Sequence, residues 1–450
     1  MPAVDSPALL VAKFLQANGY SETLQAFISE AGLSHDVGMI EKATFTLEDL
    51  LHEKQQFDLS LQFEKAGIED ERPAWLLPAS VNPATLHSSR QLLLASTADR
   101  HLHIISPLAP SFHLSDSLTD LHDSPILSCA PVSQSELISL TSSMSGQVVI
   151  YHHGDDRLLD RRRDHQKYVV QVATHVAEDH TWVATAGWDG RVFVYLVYAE
   201  GGYQLGNPVS TLSLPTNPEA VIFVREDPAA RPLLLLTRRD STHLHYYCLP
   251  PLDQHRPSLA NPCRHETGIL KLVGKQNLAP HSNSWVAFSP SSIAVCPIDS
   301  SLLAVATSTV PHMILLLVRL LWPSKFLDEL QTPEQTTQAS QAVANLRIQE
   351  VEHAAILVCM STLAPQTPYS TPQVVWRPSG SGVWVNGDDG ALRGIEAKTG
   401  KIITTLKDGH EPGSKIRSVW CGGIEDDKGN RPEWVVSGGF DHRLVAWSIL

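Results

Sequence analysis

The chain has 450 residues, 43% of them hydrophobic and 18% charged, with a formal net charge of −14. These are the proportions of a globular protein large enough for more than one core. The negative field disfavours non-specific binding to nucleic acid or to an anionic membrane.

The six cysteines (Cys129, Cys248, Cys263, Cys296, Cys359 and Cys421) are scattered with no C-x-x-C pair. That excludes a zinc ribbon or disulfide framework and fits a reducing compartment. Asp5 and the lack of a basic stretch before the first apolar residues argue against a secretory signal. Residues 9–33, LLVAKFLQANGYSETLQAFISEAGL, read as two short amphipathic helices. Pro7 suits a first turn, Leu10, Phe14 and Leu15 form an apolar stripe, and Asn18-Gly19 is a helix stop. Ser21 is expected to cap the second helix with Glu22 at its positive end. Leu24, Phe27 and Ile28 line its inner face and Gly32 ends it. Helices this short are marginal alone. A second copy would complete their apolar surface as a two-fold, four-helix arrangement. A third helix is expected over about 45–67, opened by the capping pair Thr46 and Asp49 and the staple of Phe45 and Leu50.

From about residue 71 the hydrophobic period changes to two. Seven units follow, each an apolar strand, a tight turn and a second apolar strand, at 92–106, 137–153, 182–197, 233–249, 302–318, 383–401 and 434–450. Radially repeated four-stranded blades carry this signature. Turn acids stand at Asp99, Asp189, Asp240, Asp389 and Asp441; Ser145 replaces the acid in the second unit and the fifth has none. In "GWDG" and "GDDG" the acid precedes a glycine that accepts positive φ. "DRRRDH" at 160–165 reads as a solvated loop. The units average about 54 residues, longer than the ~40–45 of common propeller repeats. Insertions are therefore expected near 198–220, 250–284 (proline-rich through 266) and 323–352, the last between the third and fourth strands of the fifth blade. The final unit lacks a fourth strand, and "PAWLLPA" at 73–79 is placed to supply it and close the ring. The apolar run at 313–318, cut by Arg319, is too short to span a bilayer.

Phe14, Leu15, Gly19, Tyr20, Thr23, Leu24, Phe27 and Glu30 give the first segment its resemblance to a Lis-homology (LisH) dimerisation motif. The final unit, "WVVSGGFDHRLVAWSIL", resembles the closing blade of a WD-repeat β-propeller. The fold implied is mainly β: a seven-bladed WD-repeat propeller over 71–450, a LisH hairpin over 1–33, and an amphipathic helix and linker over 34–70. The LisH resemblance implies a homodimer through Leu10, Phe14, Leu15, Tyr20, Leu24 and Phe27. The WD resemblance implies that a turn aspartate is tied to a histidine entering the blade, a Ser or Thr on the second strand and a Trp on the third. The last unit holds all four, as His410, Ser437, Asp441 and Trp447, and Asp99, Asp189, Asp240 and Asp389 occupy the corresponding turns. Their reading is structural, although an Asp–His–Ser set imitates a hydrolase triad.

No Walker loop, G-x-S-x-G elbow or H-E-x-x-H motif is present. The pairs His101/His103 and His243/His245 sit on different blades and do not make a metal site. No catalytic residue, metal or cofactor is expected. The chain reads as a non-enzymatic scaffold, cytoplasmic or nuclear, that presents a propeller to other proteins. The resemblance extends to ubiquitin-ligase receptors, corepressor subunits and dynein regulators. The alternative is an assembly chaperone whose acidic face holds a basic client such as a ribosomal protein or histone.

Overall fold

The computed structural model describes residues 7–33, 75–78, 81–87, 92–108, 111–133, 136–252, 268–281, 288–324, 338–424 and 431–449. The chain divides into two compact units, 1–68 and 69–450. The helix expected over about 45–67 lies outside the described residues.

In the first unit, α1 (Pro7–Ala17) and α2 (Ser21–Ala31) form a hairpin turned at Gly19, whose φ is 76°. Gly32 ends α2 in the left-handed conformation and its N–H bonds to the Ile28 carbonyl. Glu22 lies in the first turn of α2, but Ser21 is that helix's first residue and not its cap; Tyr20 stands at the cap position with no side-chain bond. Ala12 and Ile28 are buried, Phe14, Leu15, Leu24 and Phe27 half-buried, and Tyr20 is 54% exposed. The Leu10 side chain lies outside the described residues.

The second unit contains seven sheets. Strand β1 (Trp75–Pro78) precedes the first complete blade, β2 (Val81–His87), β3 (Leu92–Thr97), β4 (Leu102–Leu108) and β5 (Ser111–Leu118). Blade 2 is β6 (Ile126–Pro131), β7 (Ile138–Ser143), β8 (Val148–His152) and β9 (Arg157–Arg162). Blade 3 is β10 (Val169–Val176), β11 (His180–Gly187), β12 (Arg191–Tyr198) and β13 (Ser210–Ser213). Blade 4 is β14 (Pro218–Val224), β15 (Leu233–Arg238) and β16 (His243–Cys248); after β17 (Gly268–Ile269) comes its outer strand β18 (Lys271–Asn277). Blade 5 is β19 (Pro290–Val295), β20 (Leu302–Thr307), β21 (His312–Arg319) and, beyond α3 (Gln338–Ala354), β22 (Ile356–Pro365). Blade 6 is β23 (Val374–Trp376), β24 (Gly382–Asn386), β25 (Leu392–Glu396) and β26 (Ile402–Leu406). Blade 7 is β27 (Ile416–Gly423), β28 (Glu433–Gly439) and β29 (Arg443–Ile449), completed by β1 in the register Trp75 to Ala446. Each first strand packs beside the first strands of its two neighbours, β27 beside β2, so the ring is closed. This is a seven-bladed β-propeller, closed by the strand expected to close it.

Both faces of every sheet are covered, which is why the central strands are apolar throughout and do not alternate. Alternate residues pack toward opposite neighbours. Leu93 and Ala95 join Trp434 and Val436 of blade 7, while Leu94 joins Ile126 and Val149 of blade 2. One such core fills each of the seven junctions. Short polar side chains stitch the junctions at repeated positions. Ser96, Ser142 and Asn386, near the ends of their second strands, donate to the Ile126, Val169 and Ile416 carbonyls of the next blade. Ser128, Gln171 and Ser292, each third in its inner strand, accept the N–H of Val172, Val221 and Val374. Neutral hydrogen bonds of this kind each add about 0.5–1.5 kcal/mol.

The insertions share one place in the blade plan. Residues 199–209, 249–270 and 320–355 all join a third strand to a fourth, in blades 3, 4 and 5, so all three leave the ring on the same side. The expected range 198–220 was too wide, since it takes in β13 and the start of β14; 250–284 likewise takes in β18. Within the blade 4 insertion, β17 pairs in parallel with β13 of blade 3 and covers that outer edge. Helix α3 packs on β18 and β22, where buried Glu352 accepts the Asn277 N–H at 2.7 Å.

Candidate functional site

The side opposite the insertions is built from the second-to-third-strand turns and the loops that enter each blade. Among the described residues, three blades fix this side through a buried histidine. In blade 7 His410 Nδ1 lies 3.0 Å from both oxygens of Asp441, and its Nε2 lies 2.7 Å from Ser437 Oγ. The Glu411 N–H (2.9 Å) and Arg443 N–H (3.3 Å) complete the carboxylate's partners. Trp447 packs against the His410 ring, 6.0 Å between centroids, but its indole N–H has no acceptor among the described residues. The expected tie to tryptophan is therefore packing, not a hydrogen bond.

Blade 3 repeats the arrangement. His165 Nδ1 lies 3.0 Å from Asp189 Oδ1, Nε2 lies 2.9 Å from Thr185 Oγ1, and the Gln166 N–H donates to Asp189. Burial would raise the Asp189 carboxyl, but hydrogen bonds from His165 and Gln166 outweigh it and hold the group below its usual range. His165 comes from "DRRRDH", which is not a solvated loop. Arg157–Arg162 forms β9, Arg162 pairs with Asp164 at 2.8 Å, and Arg163 pairs with Asp123 at 2.7 Å. Tyr195, at the tryptophan position, donates instead to Asp164 at 2.8 Å.

Blade 2 inverts the scheme. His122 Nε2 contacts Thr141 Oγ1 at 2.8 Å, and the missing turn acid is supplied by Asp123, which accepts the Ser145 hydroxyl at 2.5 Å. His122 and His165 were not legible as network members because the incoming loops vary in length. The usable signal was the Ser or Thr four residues before the turn residue: Thr141, Thr185 and Ser437. The remaining blades carry an apolar residue there, and none of their described turns has a histidine of this kind. Asp389 is held by Arg393, at 2.6 Å between Oδ2 and Nη2. Asp99 accepts the Thr97 hydroxyl and the His101 N–H. The Asp240 carboxylate makes no hydrogen bond or ion pair among the described residues; its turn is held through its own N–H to Ser289 Oγ at 3.1 Å. Asp99, Asp240 and Asp389 therefore share the turn position of Asp441 without its network.

Two glycines show how closely the networks fit. A Cβ on Gly187 would stand 2.2 Å from His165 Nδ1, and one on Gly439 2.5 Å from Asp441 Oδ1. The Ser–His–Asp sets are closed to solvent: Ser437 is 1% and Thr185 0% exposed. Their geometry imitates a triad while their burial keeps substrate from the hydroxyls. His103 contacts Ser117 at 2.7 Å, and no group of three or more His, Cys, Asp or Glu among the described residues is placed to hold a metal.

Above these anchors the same side presents side chains able to meet a partner. The residue before the turn acid is the half-buried Trp188 in blade 3 and the exposed Phe440 in blade 7. Trp188 lies 4.6 Å from Tyr168, and the Arg239 guanidinium sits 4.9 Å over its ring. Glu219 accepts Arg239 at 2.7 Å; burial raises its carboxyl and the arginine opposes the shift only in part. Such rigid aromatic and arginine groups are the usual anchors of protein interfaces.

The UCP007778 β-propeller domain model matches residues 53–260 and 279–448, and the UCP007778 LisH domain model matches residues 8–34. No curated protein matches the chain significantly. No helix among the described residues is long and apolar enough to cross a membrane.

Proposed function

Because the chain belongs to the UCP007778 family, whose models cover both its LisH and its β-propeller regions, we propose that it is a non-enzymatic, dimeric interaction scaffold. The observation that carries this reading is the pairing of a LisH domain with a rigid, closed propeller in one chain, an architecture typical of non-catalytic interaction proteins. Two copies joined by the N-terminal helices present two propellers to one multiprotein target. The bivalency raises avidity by a factor on the order of 10²–10⁴ where both engage. The complexes in view are of the ubiquitin-ligase-receptor, corepressor or dynein-regulator type, in cytoplasm or nucleus. The buried His–acid–hydroxyl sets of blades 3 and 7, with the His122–Thr141 pair of blade 2, support a WD-type origin for the repeats. Leu10, Phe14, Leu15, Tyr20, Leu24 and Phe27 form the proposed dimer contact.

Sedimentation of the full-length chain beside its Leu24→Asp/Phe27→Asp variant tests the dimer. The expected result is a dimer that the substitutions make monomeric; a monomeric unaltered chain overturns it. The chaperone reading, motivated by the net charge of −14, requires client binding that falls steeply with salt. Scaffold binding through aromatic anchors is far less sensitive.

A further inference from the structure

One patch on the turn side holds a half-buried cation, Arg417. Arg417 follows the first residue of β27, where the pairing register with β28 shifts between Ile416 and Ser418. Its guanidinium lies 5.5 Å over the Phe440 ring. It makes no hydrogen bond or ion pair among the described residues. The other half-buried arginines each donate to a neighbour: Arg162 to Asp164, Arg377 to Glu433 and Arg443 to Glu411, while Arg238 reaches only the Thr216 hydroxyl and Arg225 only the Pro228 carbonyl. Burial lowers the Arg417 pKa with no carboxylate opposing it. Taking a cation out of water without a partner is costly, and the cost is recovered when an anion arrives.

The surroundings of Arg417 are built to receive a chain. Phe440 is 49% exposed, and its N–H donates to the Lys415 carbonyl at 3.0 Å. The Lys415 ammonium reaches Asp388 at 3.0 Å and Thr367 Oγ1 at 2.7 Å. Asp388 also accepts the Ser370 hydroxyl, and the Thr367 N–H donates to Ser370 Oγ at 2.7 Å. The Gln366 N–H bonds to the Pro311 carbonyl at 2.7 Å, and the Asp388 N–H to the Pro365 carbonyl at 3.1 Å. The loop 366–371 is thus tied to turns of blades 5, 6 and 7, and it carries Tyr369 at its tip, 88% exposed. An aromatic held out on a pinned loop loses little entropy on binding.

We propose that Tyr369, Phe440 and Arg417 form a docking site for an acidic segment of a partner protein, resting on the scaffold reading above. One carboxylate bonds to the Arg417 guanidinium, and neighbouring apolar side chains lie against Phe440 and Tyr369. A single stacked guanidinium matches a single carboxylate fork. Lys415 is committed to Asp388, so the site lacks the cation cluster a phosphate would need.

The test uses immobilised full-length protein and four degenerate peptide pools that differ only in one fixed central residue: Glu, Gln, Lys or phosphoserine. The Glu pool is expected to be retained at least about tenfold over Gln and Lys, and Tyr369→Ala and Arg417→Gln each to abolish the preference. Tyr369 is exposed enough that its removal leaves folding intact, so the test survives even if Arg417→Gln misfolds. Equal retention of Glu and Gln pools, or a preference that survives both substitutions, overturns the proposal. Preferred retention of phosphoserine overturns the carboxylate assignment in favour of a phosphorylated partner. If Tyr369→Ala protein purified from cells keeps every partner of the unaltered chain, this site falls and the scaffold stands; if neither form holds any partner, the scaffold reading falls as well.

Discussion

Blades 7 and 4 carry the same turn acid and hold it by opposite means. Asp441 is fully buried and bonded to His410 and two backbone N–H groups. Asp240 leaves its carboxylate unbonded, and its turn is anchored by Ser289, from the loop entering blade 5, through a backbone N–H. The neighbouring Arg239 is committed instead to Glu219 and Trp188. A propeller blade therefore needs its turn fastened but not by one particular chemistry. An identical residue at an identical repeat position is bonded by side chain in one blade and left unbonded among the described residues in the other.

The largest effect should follow removal of the blade 7 histidine. His410→Ala takes the imidazole from the buried Asp441 carboxylate, leaves the Ser437 hydroxyl unpaired and opens a cavity beside Trp447, and should cost about 3–5 kcal/mol in denaturant unfolding; a loss below about 1 kcal/mol would erase the contrast with blade 4. Acid should come next. Burial, aided by Arg161, pushes His122 down to about 4, and burial lowers His410 against the pull of Asp441. A folded pKa below the unfolded 6.5 means that the unfolded chain takes up the proton first. Stability is then full above pH 6.5 and lost as pH falls toward 4, by up to about 3 kcal/mol for His122. Thermal melts across that window should show the slope, and His122→Gln should reduce it, with His245, also pushed by burial to about 4, keeping its own share. Gly439→Ala, which drives a methyl into Asp441 and His410, should cost about 1–3 kcal/mol, whereas Gly413→Ala meets no atom within 4 Å and tests only the strain of its positive φ of 79°. The smallest change is expected in blade 4, where Asp240→Asn should stay within about 0.5 kcal/mol by the same unfolding assay.

The fold was legible because its signal is collective. Seven apolar strand pairs with turn residues between them define blades even when single turns are degenerate, and Trp75–Pro78 stood in the place of the missing strand. The networks were less so. His410 was found because "DGH" stands close before its blade, but His122 and His165 were hidden by loop length and, for His165, by an arginine run that looks like solvent-facing sequence. Asp389 and Asp240 matched the turn pattern, yet Asp389 is held by Arg393 and the Asp240 carboxylate is unbonded among the described residues, since a turn residue does not reveal what approaches it. The patch around Arg417 left no trace in the sequence, because its isolation depends on which carboxylates the fold brings near and which it takes away.

The pairing of β1 with β29 sets a timetable as well as an architecture. Trp75 emerges from a ribosome some 370 residues before its partner Ala446. At about 5–20 residues per second that is a wait on the order of 20–70 s. Throughout it the growing arc leaves the outward sheet faces of its first and last blades uncovered, and β1 has no partner strand. Newly made chains should therefore depend on molecular chaperones until the last blade appears, and a circular permutant opened between two interior blades would shift that vulnerable interval to a different pair of sheet faces.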